Sequence, residues 1–157
     1  MQQDANIITE TPMKKTALIL SAVVVLIFAV ALVAQQQPAK GGSSHLGTWQ
    51  LVSTKYGDAK EFSDYPKENR RLKMITASHF TWVDYDTKTK KISSSAGGPY
   101  SFRDGVYIET IEFVGDGMET YLSKKQEFTI RIDGDKLFQS GKLSDGLKIE
   151  EVWERVK

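Results

Sequence analysis

Two glutamates, Glu109 and Glu151, stand at positions where a carboxylate could take part in chemistry. Glu109 alternates with Tyr107 and Ile111, and Glu151 comes two residues before Trp153. Because alternate side chains of a strand share one face, both carboxylates are predicted to point inward with these apolar neighbours. A buried carboxylate is costly unless it is paired. Two of them together could bind a cationic or hydroxyl-bearing ligand, or could share one proton.

The same two carboxylates also have a purely structural interpretation. They could pair with Arg155, Arg103 or a lysine and form an internal network, which is the usual fate of buried charges. An enzymatic interpretation requires more, because Glu109, Glu151 and His79 would have to converge on one cavity as acid–base groups. Of these alternatives the sequence favours the internal network.

Motifs of known catalytic or metal-binding chemistry are missing from the sequence. The chain has no cysteine, which excludes thiolate nucleophiles, cysteine-ligated zinc and iron–sulfur clusters. Its two histidines, His45 and His79, do not form a His-x-His or His-x-x-x-His pair. No Gly-x-Ser-x-Gly nucleophile elbow occurs either. We therefore predict a protein that is not an enzyme and that has neither a metal site nor a cofactor.

The charge balance bears on the class of partner. The whole chain has 21 basic and 20 acidic side chains, of which three basic and two acidic ones precede His45. The remainder from His45 onward is neutral, with 18 of each sign. A neutral domain lacks the basic surface that nucleic acid requires, so we predict no nucleic-acid partner.

The elements that must position these residues are predicted to be β-strands joined by tight turns. Asp104-Gly105, Gly134-Asp135 and Asp145-Gly146 separate apolar runs as hairpin turns do, and Gly97-Gly98-Pro99 is interpreted as a further break. No long crossover helix is available, so the sheet is expected to be antiparallel. The predicted fold is all-β, a small antiparallel up-and-down barrel, with a sandwich as the alternative. The predicted strands are Thr48–Lys55, Arg71–Thr76, His79–Asp84, Lys91–Ser95, Tyr100–Arg103, Val106–Phe113, Glu127–Asp133, Lys136–Gln139 and Lys148–Val156.

Period-two alternation predicts which side chains share a face of these strands. In one strand Phe128, Ile130 and Ile132 are expected on the same face, separated by polar residues. In another, Phe113 is expected on the face that carries Glu109. These faces should form the interior of the domain.

An uncharged apolar segment, predicted to be helical, precedes the strands. Ala17–Ala34 contains Ser21 as its single polar residue, and its length is at the lower end of what spans a bilayer as a helix. Lys14 and Lys15 come just before it, which predicts that residues 1–16 form a short cytoplasmic tail and that the rest lies outside. Residues 35–45 are polar and rich in glycine, which predicts a flexible linker to a domain at residues 46–157.

This segment could be a transmembrane anchor or a cleaved signal peptide. A start at Met13 would make the preceding residues a mis-assigned beginning and would leave a basic, apolar leader typical of bacterial secretion. A start at Met1 places a polar tail ahead of the basic pair, which favours an uncleaved anchor. In both cases the domain is expected in the cell envelope or released from it. The membrane is a predicted partner, through Ala17–Ala34, if the segment is not cleaved.

The two ends of the domain resemble the calycins, the group of lipocalins and fatty-acid-binding proteins. Leu46-Gly47-Thr48-Trp49 opens the domain, and Trp153-Glu154-Arg155 closes it. The resemblance implies a structural role for Gly47, Trp49 and Arg155, in which the tryptophan closes one end of a barrel and the arginine covers its ring. A large ring can plug such an end, and a guanidinium on its face keeps its charge near solvent.

The middle of the chain resembles a lipocalin-like family of bacterial exported proteins that has no assigned activity. The resembling stretches are Ile75–Asp86, Gly97–Phe102, Gly105–Phe113 and Ile149–Lys157. A barrel of about eight strands can enclose one small ligand or be filled by its own side chains.

The expected function is therefore binding of a small apolar or amphipathic ligand inside the barrel. The alternatives are a filled barrel that binds another envelope protein and, with less support, an enzyme that uses the lumenal carboxylates. The candidate ligand-binding residues are His79, Trp82, Tyr100, Tyr107, Glu109 and Glu151.

Overall fold

The computed structural model describes residues 44–157, which form ten β-strands and one short 3-10 helix. The apolar segment Ala17–Ala34, the tail before it and residues 35–43 lie outside the described part of the chain. No helix within residues 44–157 is long and apolar enough to span a membrane. The strands are β1 Gly47–Tyr56, β2 Ser63–Asp64, β3 Asn69–Ile75, β4 His79–Asp86, β5 Ile92–Arg103, β6 Val106–Thr110, β7 Phe113–Val114, β8 Lys125–Asp133, β9 Lys136–Lys142 and β10 Lys148–Arg155, and the helix is Glu119–Tyr121.

Eight of these strands close into an antiparallel barrel. The order is β1-β3-β4-β5-β6-β8-β9-β10, and β10 pairs back onto β1 along most of its length. The two short strands lie outside this ring, where β2 pairs with β1 and β7 pairs with β5. Closure leaves the eight barrel strands without a free edge, which would otherwise be a site of aggregation. The prediction of an all-β, up-and-down barrel is confirmed.

A β-bulge in β1 decides which of its side chains face the interior. Leu51 lies opposite Trp153 in the register with β10, but the pairing then shifts by one residue before Thr54 lies opposite Glu151. An extra residue in one strand reverses the phase of its side chains. As a result Tyr56, which would face solvent in a regular strand, lines the interior.

Strand β5 runs without a break through Gly97-Gly98-Pro99, so the predicted interruption there was wrong. The two glycines instead allow another segment of the chain to approach β5 closely. A Cβ atom on Gly98 would collide with the carbonyl oxygen of Thr110, and one on Gly97 would collide with the ring of Phe113. The absence of side chains therefore lets the chain after β6 approach β5 closely, where β7 pairs with it.

The same contact corrects the prediction for Phe113. Strand β6 ends at Thr110 rather than at Phe113, and the Phe113 ring lies against Gly97 with 49% of the residue exposed. The alternation of β6 therefore does not extend to Phe113, whereas Tyr107, Glu109 and Ile111 are all buried.

One end of the barrel is plugged by a tryptophan. Trp49 is fully buried, its indole nitrogen donates to the carbonyl oxygen of His45 at 2.8 Å, and the guanidinium of Arg155 lies 4.1 Å from its ring centroid. Arg155 also donates to the carbonyl oxygens of Leu46, at 2.8 Å, and Ser44, at 2.5 Å. Residues 44–46 are thus held across this end by hydrogen bonds from both side chains. Each stacked cation of this kind contributes about 0.5–2 kcal/mol.

Candidate functional site

The interior of the barrel contains a cavity of about 250 Å³ at the end opposite Trp49. Its mouth is formed by loops that join strands at that end, including the β9–β10 hairpin and the loop with the 3-10 helix. Apolar side chains form much of its wall, among them Ile111, Met118, Phe128, Leu143, Leu147 and Ile149. Polar and charged side chains also line it, namely Tyr56, Arg71, Lys73, Ser94, Glu109, Tyr121, Gln126, Gln139 and Glu151.

A buried ion pair lies in the wall of this cavity. The ammonium of Lys73 on β3 is 2.9 Å from Oε1 of Glu109 on β6, and their side chains are only 3% and 4% exposed. Lys73 points inward because it lies opposite Trp49 in the register of β3 with β1. The pair therefore joins two strands, β3 and β6, that are not neighbours in the sheet. A pair so deeply buried is strongly destabilising to break, because either partner alone would be an uncompensated charge.

The ion pair continues into a chain of hydrogen bonds around the lumen. Lys73 donates to Oε1 of Gln139 at 2.8 Å, and the amide nitrogen of Gln139 lies 3.3 Å from Oε2 of Glu151. Glu151 also accepts hydrogen bonds from the indole nitrogen of Trp153, at 3.1 Å, and from the hydroxyl of Tyr56. The carboxylates of the lumen are thus joined in one network, and Glu151 is stabilised without a cation of its own.

Burial governs the protonation of this network. It raises the pKa of Glu109, against the opposing effect of Lys73, and the charge of Glu151 raises it further. Burial and the neighbouring Glu151 also raise the pKa of Tyr56, so its phenol stays protonated and donates. Burial raises the pKa of Tyr107 as well, with a contribution from the nearby charge of Glu109, although the Tyr107 hydroxyl meets no partner in hydrogen-bond geometry among the described residues.

A second ion pair lies on the barrel wall nearer the mouth. Arg71 on β3 is 2.9 Å from Oδ2 of Asp84 on β4, and the hydroxyl of Tyr65 donates to the same oxygen. The guanidinium lies over the rings of Trp82 and Tyr65, at 4.8 and 5.5 Å from their centroids. Arg71 is therefore fixed by a carboxylate on one side and by aromatic faces on the other.

The structure separates the six candidate ligand-binding residues into two groups. Trp82, Glu109 and Glu151 line the cavity, and Tyr107 is buried beside Glu109 without lining it. Tyr100 and His79 do not line it.

Both of the outlying residues lie toward the plugged end. The Tyr100 hydroxyl donates to the carbonyl oxygen of Thr76 at 2.7 Å and lies 3.0 Å from Nε2 of His45. His79 is exposed, and its ring is 2.8 Å from the hydroxyl of Ser78. Glu109, Glu151 and His79 therefore do not converge on one cavity.

Several cavity residues were missed by the sequence analysis, and Lys73 is the most important. Strand β3 alternates charged and apolar residues, so its pattern favours Leu72 and Met74 as the buried face. The structure buries Lys73 and leaves both of those side chains partly exposed. A carboxylate on a distant strand compensates the lysine, and local alternation carries no signal of that partner.

Metal binding has no support in the described part of the chain. Across residues 44–157 no three histidine or acidic side chains are grouped so that they could hold a metal ion.

Comparison with known proteins places this architecture among lipocalin-like folds. No family model matches the sequence, and no curated protein matches it. A lipocalin-like protein from Bacteroides uniformis ATCC 8492 is similar in structure, with a TM-score of 0.52 and 15% identity over 71% of this chain and 97% of that chain. An uncharacterized protein from Bacteroides eggerthii DSM 20697 is also similar, with a TM-score of 0.50 and 13% identity over 72% of this chain and 100% of that one.

At these identities the likeness concerns the fold. The chain has the closed antiparallel barrel of the lipocalin-like proteins, as the resemblance in its sequence predicted.

Proposed function

We propose that the domain is a non-enzymatic binding module that holds one small amphipathic molecule in the barrel cavity. The observation that supports this most directly is the composition of the cavity wall, where apolar side chains near the mouth adjoin the network around Lys73 and Glu109. Ligand sites typically combine a mainly apolar wall with a few convergent polar groups. Such a wall can accept the apolar part of a ligand and hydrogen-bond its polar end.

The volume of the cavity limits the size of the ligand. At about 250 Å³ it is smaller than the range of roughly 300–1,000 Å³ typical of ligand pockets. Since one water occupies about 30 Å³ of liquid, the cavity has room for about eight waters, and a compact molecule of about ten non-hydrogen atoms, whose bonded atoms pack more densely than separate waters, would fill it. A long-chain fatty acid would extend through the mouth into solvent.

We also propose that this binding takes place outside the cytoplasm. The support is the apolar segment Ala17–Ala34 with the basic pair Lys14 and Lys15 before it. The domain would be tethered to the membrane if this segment is retained, and secreted or periplasmic if it is cleaved. N-terminal sequencing of the mature protein distinguishes the two, because only the tethered form keeps Lys14 and Lys15.

Tryptophan fluorescence tests the binding proposal directly, because Trp82 and Trp153 both line the cavity. Titration with small aromatic or alkyl compounds should change the emission and saturate at one ligand per chain. The variant Ala96→Phe should abolish this response, since Ala96 is 1% exposed and lines the cavity. Ser101→Phe is the matched control, because Ser101 lies exposed on the same strand and away from the cavity.

Two outcomes would contradict the proposal. The first is a wild-type protein that binds no compound of this size and whose native mass shows no retained small molecule. The second is a folded Ala96→Phe variant that binds as well as the Ser101→Phe control. Either result would favour the alternative of a filled barrel that interacts with another envelope protein.

A further inference from the structure

Acidic groups outnumber basic ones around the cavity. Among residues 44–157, two cations and two carboxylates line the cavity, and a third carboxylate is ion-paired with one of those cations. With all five ionised, one negative charge is in excess. These groups are Arg71, Lys73, Asp84, Glu109 and Glu151.

Both cations are already bound to carboxylates. The ammonium of Lys73 lies 2.9 Å from a carboxylate oxygen of Glu109, and the guanidinium of Arg71 lies at the same distance from a carboxylate oxygen of Asp84. A ligand carboxylate would have to compete with these internal partners for either cation. Such competition would leave a buried carboxylate of the protein without its partner, which is costly.

At the Lys73–Glu109 pair the wall has an acceptor that the pair itself leaves free, whereas the Nε of Arg71, which has no partner within residues 44–157, belongs to the separate ion pair with Asp84. Lys73 binds Oε1 of Glu109, while Oε2 of the same carboxylate meets no donor in hydrogen-bond geometry among the described residues; the Tyr107 hydroxyl, itself unpaired, lies near the carboxylate and lowers its pKa. Glu109 is 3% exposed, and it lines the cavity. A carboxylate has about four lone-pair sites, so this oxygen can accept at least one further donor.

We infer that the cavity selects a ligand whose polar end donates hydrogen bonds and discriminates against a ligand that ends in a carboxylate. A primary ammonium is expected to bind more tightly than a hydroxyl. This inference rests on the proposed binding function. The ammonium would donate to Oε2 of Glu109 and would neutralise the excess negative charge shared by Glu109 and Glu151. Repulsion from Lys73 is limited because its charge is already compensated by the other oxygen of Glu109.

Three compounds with one apolar part test the inference: 2-phenylethylamine, 2-phenylethanol and phenylacetate. Each has about the ten non-hydrogen atoms that the cavity accommodates. Isothermal titration of the full chain should show the tightest binding for the amine and intermediate binding for the alcohol. The carboxylate should bind roughly ten- to a hundredfold more weakly than the amine, which is the usual range for one hydrogen bond to a charged group. Toluene has no polar end, so its affinity measures binding to the apolar wall of the cavity alone.

Variants then localise the effect to Glu109. Glu109→Gln should weaken the amine at least tenfold and change the affinity for toluene little, with the unfolding temperature measured alongside. Glu127→Gln is the matched control, because Glu127 is exposed on the neighbouring strand β8. It should leave all four affinities unchanged.

The outcomes separate this inference from the binding function on which it rests. If toluene binds but phenylacetate binds as tightly as the amine, the selectivity is refuted and the binding function stands. If toluene binds and Glu109→Gln folds without weakening the amine, the role of Glu109 is refuted. If none of the four compounds binds, both the binding function and the selectivity fail. Should Glu109→Gln fail to fold, the ranking of the three compounds on the wild type still decides the selectivity.

Discussion

Removal of one partner of the Lys73–Glu109 pair should destabilise the barrel more than removal of both. Their side chains are 3% and 4% exposed and 2.9 Å apart, so either single substitution leaves the other charge buried without its partner. Such a loss typically costs about 3–5 kcal/mol. A domain has a total stability of about 5–15 kcal/mol, so Lys73→Met or Glu109→Leu alone should bring the barrel close to unfolding.

The double variant removes both charges and replaces them by side chains of similar size. Its remaining cost is the loss of the donor to Gln139, which amounts to about 1–3 kcal/mol for a buried polar group. Replacing a buried pair by apolar side chains is often neutral or stabilising by about 1–4 kcal/mol, which offsets that cost. The double variant should therefore be more stable than either single variant.

Urea unfolding of the four proteins measures this directly. With a slope of about 2 kcal/mol per molar, a loss of 3–5 kcal/mol lowers the midpoint by about 1.5–2.5 M. The control is the exposed cross-strand pair Lys136–Glu154, 3.9 Å apart, for which the same cycle should give effects of about 0–1 kcal/mol. Single variants within about 1 kcal/mol of wild type, or a double variant less stable than both, would refute the reasoning.

Three further predictions concern the plugged end, the strand contact and the effect of pH. Arg155→Leu should lower the free energy of unfolding by about 2–3 kcal/mol, because it removes a stacked cation and two hydrogen bonds to backbone carbonyls. Limited proteolysis of this variant should begin near residue 44. Gly98→Ala should lower the free energy of unfolding by more than about 2 kcal/mol, because the new Cβ atom would collide with backbone atoms. Gly134→Ala is the control and should cost about 1 kcal/mol, because a Cβ atom there meets nothing within 4 Å. Thermal unfolding of the two variants measures the difference. Burial raises the pKa of Glu109, so the folded protein holds this proton more tightly than the unfolded chain, and ionisation of Glu109 lowers the stability as pH rises from its unfolded pKa of about 4.5 through the folded value. The stability of wild type relative to Glu109→Gln should accordingly fall with rising pH, and a flat difference would contradict this assignment.

Local patterns were sufficient for much of the fold. The turns Asp104-Gly105 and Gly134-Asp135 join hairpins at the predicted places, where β5 pairs with β6 and β8 pairs with β9. Phe128 and Ile130 are buried on the same face of β8, as their alternation predicted. These features depend on neighbouring residues alone, because a turn needs particular backbone angles and a half-buried strand needs a period of two.

Close approaches between segments that are distant in sequence could not be predicted from such patterns. Gly97 and Gly98 look like a break when only neighbouring residues are considered, yet they lie within a continuous strand against which Phe113 packs. A glycine can serve a turn or a close contact equally well, since both require the absence of a side chain. The bulge that turns Tyr56 inward is likewise a property of the pairing of β1 with β10.

The sequence by itself determined that residues 46–157 would be a neutral all-β domain, with Glu109 and Glu151 on inward faces. Only the tertiary structure decided that Lys73 shares the interior with them, because its position depends on the register of β3 with β1 and on a carboxylate 36 residues further along the chain. The energy of a buried charge is set by its partner in space and not by its neighbours in sequence. The polar side chains of the cavity could therefore be identified only from the structure of the closed barrel.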